Sequence, residues 1–477
     1  MTAQANRWKA LAVLGVAYLM VVLDVSIVNV ALPSIQKDLN FSTEDLQWVI
    51  SAYGLTFGGF LLLGGRAGDL LGRRKIFMIG LATFSAFSLL CGLAQSEGML
   101  IAARALQGAA AAMLSPSVFS ITLVTFEEGA ERNKALGILG GIAGSGAAIG
   151  VLAGGILTEY LGWEWIFFVN VPIGILALLL APRYVQESRI EGMERRFDAA
   201  GAVTVTGSLM ILVYALTQAN NVGWGTFRTI GLLVLSAVLM AVFLVIEQRS
   251  RFPLVPLRFF KRRNPTGANI IGFLLGTMVF GMFFLLSLYM QQILGFSALK
   301  TGVGYLAVAL TAVVASGVAQ ALVTRFSVKP VLATGMLLLG LGLVYFTFIS
   351  VGGSYFADLF PGFILTGIGL GFSFVPVSIA ALAGVPPPEA GLASGLINTS
   401  QQIGGALGVA ILTTVSTTRA ENLIADGTPQ PIAFTDGYSL AFWVAAAFAL
   451  AGVIATLLIL KRPEQAAAPE AAPAPVG

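Results

Sequence analysis

Runs of roughly twenty apolar residues, separated by short polar segments, recur from one end of the chain to the other. A run of that length spans a hydrocarbon core of about 30 Å as a helix, and lipid admits only backbones that satisfy their own hydrogen bonds. The pattern predicts helices over approximately 10–33, 46–65, 76–94, 99–125, 135–158, 164–182, 199–219, 227–247, 267–290, 301–323, 331–350, 358–384, 393–416 and 438–460. These are about fourteen spans, an even number that returns the chain to the side on which it began. Lys and Arg alternate in step. Of the 27 in the chain, all but Lys37, Arg104, Arg228, Lys300 and Arg419 fall in segments on the N-terminal side. The positive-inside rule therefore predicts that both termini are cytoplasmic.

Composition agrees with this pattern: 57% of the residues are hydrophobic and 10% are charged, against about 25% charged in soluble domains. The chain reads as an integral membrane protein. Its net charge of +4 is explained by where the cations sit, so it points to no nucleic-acid partner. Arg7 and Lys9 ahead of an apolar run look like a secretory signal. The run is too long for one, contains Asp24 and lacks a small-x-small cleavage site, so it is expected to be the first membrane helix. Cys91 is the single cysteine and cannot form an internal disulfide. Histidine is absent, so a proton relay near neutral pH has to use a carboxylate.

Two basic segments, about 183–198 and 248–266, bracket the predicted pair 199–247, with six predicted helices on either side. The expected organisation is a six-helix half over 1–198, an inserted two-helix hairpin over 199–247, a second six-helix half over 248–460 and a disordered Ala/Pro-rich cytoplasmic tail over 461–477. The polar stretch 417–437, with Pro429 and Pro431, is expected to be an outer connecting loop.

Asp24, in LDVSIVNVALP at 23–33, stands well inside the first apolar run. An ionised Asp near a helix centre in lipid costs roughly 2.5–3.5 kcal/mol, so a chain that keeps one faces it toward a partner or a water-filled path. Arg104 is the cation inside the fourth run, in RALQG. At 1.5 Å per residue, Asp24 rises about 21 Å from the inner end of its helix and Arg104 lies about 7 Å below the outer end of its own. Both occupy the outer half at similar depth. An ion pair there serves either as a static salt bridge or as a proton-coupling pair.

The segment Gly65-Arg-Ala-Gly-Asp69-Leu-Leu-Gly72-Arg73-Arg74-Lys75 joins the second and third spans on the basic side. On composition alone it is a tight turn with anchoring charge. Its spacing, G-x-x-x-D-x-x-G-R-R, resembles the loop signature of the major facilitator superfamily between helices two and three. The first helix resembles the LDxTxxNxALP signature of that superfamily's fourteen-helix drug:proton antiporter branch, with Ser26 where Thr is more usual. GWEWIFFVNVPIG at 162–174, YMQQILGFS at 289–297 and AGLASGLINTSQQIGGALG at 390–408 extend the resemblance over nearly the whole chain. The corresponding loop of the second half, VTRFSVKP at 323–330, departs from the signature by lacking the acid. In the fifth helix Gly146, Gly150 and Gly154 repeat every four residues and line one face, where another helix can approach closely. With Gly137 and Gly155 they resemble the antiporter signature of the superfamily, except that Val151 replaces its proline.

The resemblance implies an all-α major facilitator fold in a bacterial cytoplasmic (inner) membrane. The implied activity is multidrug efflux: an antiporter, not an enzyme, that exports lipophilic compounds in exchange for protons by alternating access. Asp24 and Arg104 are the implied proton-coupling residues, and Gly65, Asp69, Gly72 and Arg73 the cytoplasmic gating loop. With one acid deep in a membrane helix, a monocationic or neutral cargo is expected. Candidate cavity residues are Met282, Phe283, Tyr289, Gln291 and Gln292 in the ninth helix, where Met and aromatic side chains adapt to varied apolar guests. Asn398, Gln401 and Gln402 in the thirteenth, with Asn29 and Gln107, are candidate polar wall residues. No Gly-Lys dipeptide exists, hence no Walker A loop, and without His there is no HExxH site, so neither an ATP site, a metal nor another cofactor is expected. The alternatives are export of an endogenous lipid or metabolite by the same mechanism and, less well supported, a membrane receptor or enzyme.

Overall fold

The structure is a computed structural model that describes residues 2–127, 130–188, 198–250, 253, 255, 257–385 and 390–461. Among them there is no strand. The helices are α1 (Thr2–Leu39), α2 (Thr43–Leu46), α3 (Trp48–Leu71), α4 (Arg73–Gly92), α5 (Glu97–Thr125), α6 (Ala130–Tyr160), α7 (Trp165–Phe168), α8 (Asn170–Tyr184), α9 (Ala199–Val222), α10 (Phe227–Arg249), α11 (Arg263–Leu288), α12 (Ala298–Phe326), α13 (Val328–Tyr345), α14 (Phe360–Leu382), α15 (Ala390–Ala425) and α16 (Gln430–Ile459). Apart from the single-turn α2 and α7, each coincides with one of the apolar runs. Among the described residues, eleven helical segments, α7 and α8 counted together, are long and apolar enough to cross a membrane. The other long helices are α6, α9 and α15. The polar run Asn398–Gln402 of α15 is tolerated because that helix packs against α3, α11 and α16.

The largest differences from the sequence pattern are at the start of α1, which begins at Thr2, and at two proline-containing stretches. α1 continues through Pro33 to Leu39. The stretch 417–437 is mostly helix: α15 runs to Ala425, Gly427 turns the chain with φ of 87°, and Pro429 and Pro431 sit at the start of α16. A proline is free at a helix start because the missing N–H has no helical acceptor there, so it marks the first turn of α16 rather than a loop. Arg419 and Asp436 clamp the two helices at 2.6 Å. The expected tail lies, beyond Lys461, outside the described residues, as does 189–197 of the first basic segment.

α1 packs against α5, α6 and α8, and α5 against α3 and α4. On the other side α11 packs with α15 and α16, and α14 with α12 and α13. Two seams join these groups, α6 with α12 and α3 with α15. The hairpin α9–α10 lies over the second seam: Leu209 and Val213 join Ala52 and Leu55 of α3 and Ala406 and Ala410 of α15 in one apolar cluster.

The two ends of the bundle are built differently. At the end bearing the N-terminus, residues of α1 from Ala10 to Val21 share a cluster drawn from the first eight helices alone. At the far end, Ile27 to Ile35 of α1 belong to a cluster that also takes in α11–α16. The far end is thus closed by a core common to both groups of helices.

Glycine sets the closest approaches. A Cβ on Gly404 would meet the Phe273 carbonyl, and one on Gly408 the Thr277 carbonyl, so α11 and α15 touch backbone to backbone. Gly404→Leu is expected to destabilise the protein by at least the 1–3 kcal/mol typical of overpacking. Gly317, with open space around it, is the control. Thermal unfolding in detergent should show a lower midpoint for Gly404→Leu and little change for Gly317→Leu.

Candidate functional site

Asp24 lies on α1 between the two apolar clusters and is fully buried. Its Oδ2 accepts from Arg104 Nη1 at 2.5 Å. Its Oδ1 accepts from Gln107 Nε2 at 2.8 Å and from Asn170 Nδ2 at 3.3 Å. Arg104 and Gln107 are one turn apart on α5, and Asn170 is the first residue of α8. All the named contacts are donors, an environment that fits a carboxylate and leaves nothing to receive an acid proton.

Arg104 makes further contacts of its own. Its Nη1 also donates to Gln107 Oε1 at 2.8 Å and its Nε to the Val49 carbonyl at 2.9 Å. The guanidinium lies over the Tyr53 ring at 4.2 Å and near the Phe167 ring at 5.6 Å. A planar, weakly hydrated cation sandwiched in this way fits where an ammonium would not. Around the pair, Asn170 Nδ2 also donates to Ser88 Oγ at 3.1 Å, whose hydroxyl donates to the Phe167 carbonyl at 2.8 Å. Cys91 Sγ contacts Gln107 Oε1 at 3.5 Å. The similar depth inferred for the two charges from helix rise is the geometry of a direct ion pair.

The glycines of α6 hold α1 in place. A Cβ at Gly146 would meet Val22, one at Gly150 would meet Ser26, and one at Gly154 would meet the Ile27 carbonyl. Gly155 faces Ala298 and Leu299 of α12 instead. Gly137 is on the same helix, and its surroundings lie outside the described residues.

In the 65–75 segment, Gly72 breaks the chain between α3 and α4 with φ of 113°. The Glu187 carboxylate, from beyond α8, accepts from Arg74 N at 3.0 Å and Lys75 N at 3.2 Å, so an anion caps the positive end of α4. The Arg73 amide donates to the Ser188 carbonyl at 2.9 Å. Gly65 faces Pro116 of α5. Asp69 is in the last turns of α3, and its side chain lies outside the described residues.

The family model described as "Major Facilitator Superfamily" matches residues 14–409. The chain belongs to the major facilitator superfamily. It is a multi-pass membrane transporter, not an enzyme. Over 469 residues it is 41% identical to a puromycin resistance protein of Streptomyces alboniger, covering 97% of this chain and 93% of that one. Over 410 residues it is 38% identical to a cephamycin export protein of Amycolatopsis lactamdurans, covering 85% and 84%. Among solved structures, a bacterial homologue of the human lysosomal transporter Spinster, described as inward-facing and occupied, superposes with a TM-score of 0.66 at 16% identity, covering 95% and 97%. Transporters of this superfamily generally need no cofactor.

The amides and Met/aromatic residues singled out as cavity candidates do not converge. Gln107 joins Asp24. Asn29 is buried and bonds the Val25 carbonyl of its own helix. Gln291 Nε2 donates to the Val30 carbonyl at 2.8 Å and Gln292 Nε2 to Gln36 Oε1 at 2.6 Å, tying the wide turn after α11 to the far end of α1. Met282 and Tyr289 are fully buried in the far-end cluster, with the Tyr289 hydroxyl donating to the Ser350 carbonyl. Phe283 is half-buried beside Tyr305. Asn398 is exposed and bonds its own helix, and Gln401 is half-buried facing Gly272 of α11. Gln402 is buried at the α3–α15 seam with its Nε2 unpartnered.

Asn170, Ser88, Tyr53 and Glu187 escaped the sequence reading. Asn170 had a signal, being an amide inside the 162–174 run, where a buried polar side chain needs a partner.

Arg104→Met would leave Asp24 buried and uncompensated, and is expected to cost about 3–5 kcal/mol. Thermal unfolding should show a large drop for Arg104→Met and recovery of most of it in Asp24→Asn/Arg104→Met, where no lone charge remains.

Proposed function

We propose that this transporter exports lipophilic, monocationic or neutral drug-like compounds in exchange for protons, with Asp24 as the proton carrier and Arg104 as the partner that receives it when the proton leaves. The observation that carries this reading is a single carboxylate, inaccessible to solvent, placed where the two apolar clusters of α1 meet and held as an ion pair by three side chains from two other helices, α5 and α8. A static bridge needs no such position. At the junction of an end with its own core and an end with a shared core, a change in which end is closed also changes the water access of Asp24.

In this reading the N-terminal end is cytoplasmic, as the distribution of Lys and Arg indicates. The far end is the outer end, closed in this state by the shared cluster. The helices α1–α8 and α11–α16 are the halves that rock against each other. Asp24 takes a proton from outside in the outward-open state, releases it inside and re-forms the pair with Arg104. The relatives named for puromycin resistance and cephamycin export support a drug-like natural product as cargo.

Proton-driven efflux of a fluorescent lipophilic cation from vesicles, compared for wild type and Asp24→Asn at matched protein levels, tests the central claim. Coupled transport should be lost while substrate binding is retained, and unchanged coupling would sink the assignment. A dication should be exported much less efficiently than its monovalent analogue. A second expectation concerns the outer end. Gln291→Ala/Gln292→Ala removes the bonds to Val30 and Gln36, so a cysteine introduced at Asn29 should react several-fold faster with an impermeant maleimide from outside than in the unaltered background.

A further inference from the structure

Asn170 is buried and its Nδ2 is fully used, donating to Asp24 Oδ1 and Ser88 Oγ. Its Oδ1 is buried with no hydrogen-bond partner. A buried amide carbonyl without a donor is a cost that native structures rarely carry without a reason. The orientation is fixed by chemistry: the Ser88 hydroxyl donates to the Phe167 carbonyl, so its oxygen can only accept from Asn170.

The idle carbonyl matters when Asp24 takes up a proton. The acid becomes a donor and needs an acceptor beside it. Gln107 Oε1 already receives Arg104 and Cys91, whereas Asn170 Oδ1 receives nothing. Turning the amide half a revolution about its last bond presents that oxygen to Asp24. The Ser88 hydroxyl then has an acceptor in Asn170 and can leave the Phe167 carbonyl. Phe167 is in α7 and Asn170 begins α8, on either side of the break at Val169.

We propose that Asn170 is a positioning residue that reads the protonation state of Asp24, donating to the carboxylate and accepting from the acid, with Ser88 passing the change to the α7–α8 break. This rests on the reading of Asp24 as the proton carrier. The titratable or charged groups that face Asp24 are Arg104 from α5, Tyr53 from α3 and Cys91 from α4. Among the described residues, α6, α7, α8, α11 and α12 bring none against it.

Infrared difference spectra against pH, recorded on the reconstituted full-length protein, test this together with the pH profile of efflux. The carbonyl band of protonated Asp24 is identified by its absence in Asp24→Asn. In Asn170→Leu that band should move to higher frequency, as for an acid that has lost its acceptor. The lost bond to the carboxylate is charge-assisted and outweighs the neutral bond to the acid, so the efflux midpoint should move up by about one pH unit. Asn170→Ser, the smaller change if the Leu variant fails to fold, should give the same directions to a lesser extent. Reduced transport at all pH values, with band and midpoint in place, would show Asn170 to be structural only and overturn the proposal. A band that persists in Asp24→Asn would instead remove Asp24 as the proton site, whatever Asn170 does.

Discussion

The Asp24–Arg104 pair imposes the constraint to which the rest of the first half answers. Both charges are buried, so the polar positions around them need protein partners, and these come from α3, α4, α5 and α8. Breaking such a pair on one side costs more than the pair itself contributes, because the remaining charge stays buried. Removing or adding a proton at Asp24 is therefore a large perturbation at that point, and the helices that supply its partners are those able to respond.

The packing that allows the pair is made by small residues. α1 can bring Asp24 toward α5 and α8 while its other face rests on α6 because Gly146, Gly150 and Gly154 let the backbones meet. Ser26 fits there as well: its side chain faces Gly150 and its hydroxyl returns to the Val22 and Leu23 carbonyls. Gly174 against Ser85 does the same between α8 and α4, below Asn170 and Ser88. In a membrane, where burial of apolar surface does not drive helices together, such contacts are the main source of specificity.

The long helices were legible in the sequence because a twenty-residue apolar run in lipid has one solution. The ion pair was legible because charges inside such runs are few and helix rise fixes their depth. Side-chain direction was not legible. Gln291 and Gln292 have the composition expected of a cavity wall, yet they tie α11 to α1, because a wide helical turn at 289–293 aims them outward at the end of the helix. Glu187 was hidden for a different reason: it caps α4 from more than a hundred positions away, and no local spacing signals a partner at that distance. Asn170 is one amide among several, distinguished by what surrounds it.

The asymmetry between the halves follows from the same accounting. The first half holds the buried charge pair, and the junction of α3 and α4 carries an acid, Asp69, and a dense basic cluster, Arg73 to Lys75. The corresponding loop between α12 and α13 has no acid, and its turn is made at Ser327 with φ of 81° rather than at a glycine. What α11–α16 bring to the seams is apolar side chains, such as Ala406 and Ala410, with backbone and amide: Gln402 to α3, Gln291 to α1 and the start of α12 to α6. Apart from the exposed Glu159 carboxylate, which accepts from the Leu299 amide at 3.5 Å, these contacts are neutral, so the second half can part from the first without stranding a buried charge. In the proposed exchange, the electrostatic cost of each conformational step falls on the site around Asp24, where a single proton offsets it.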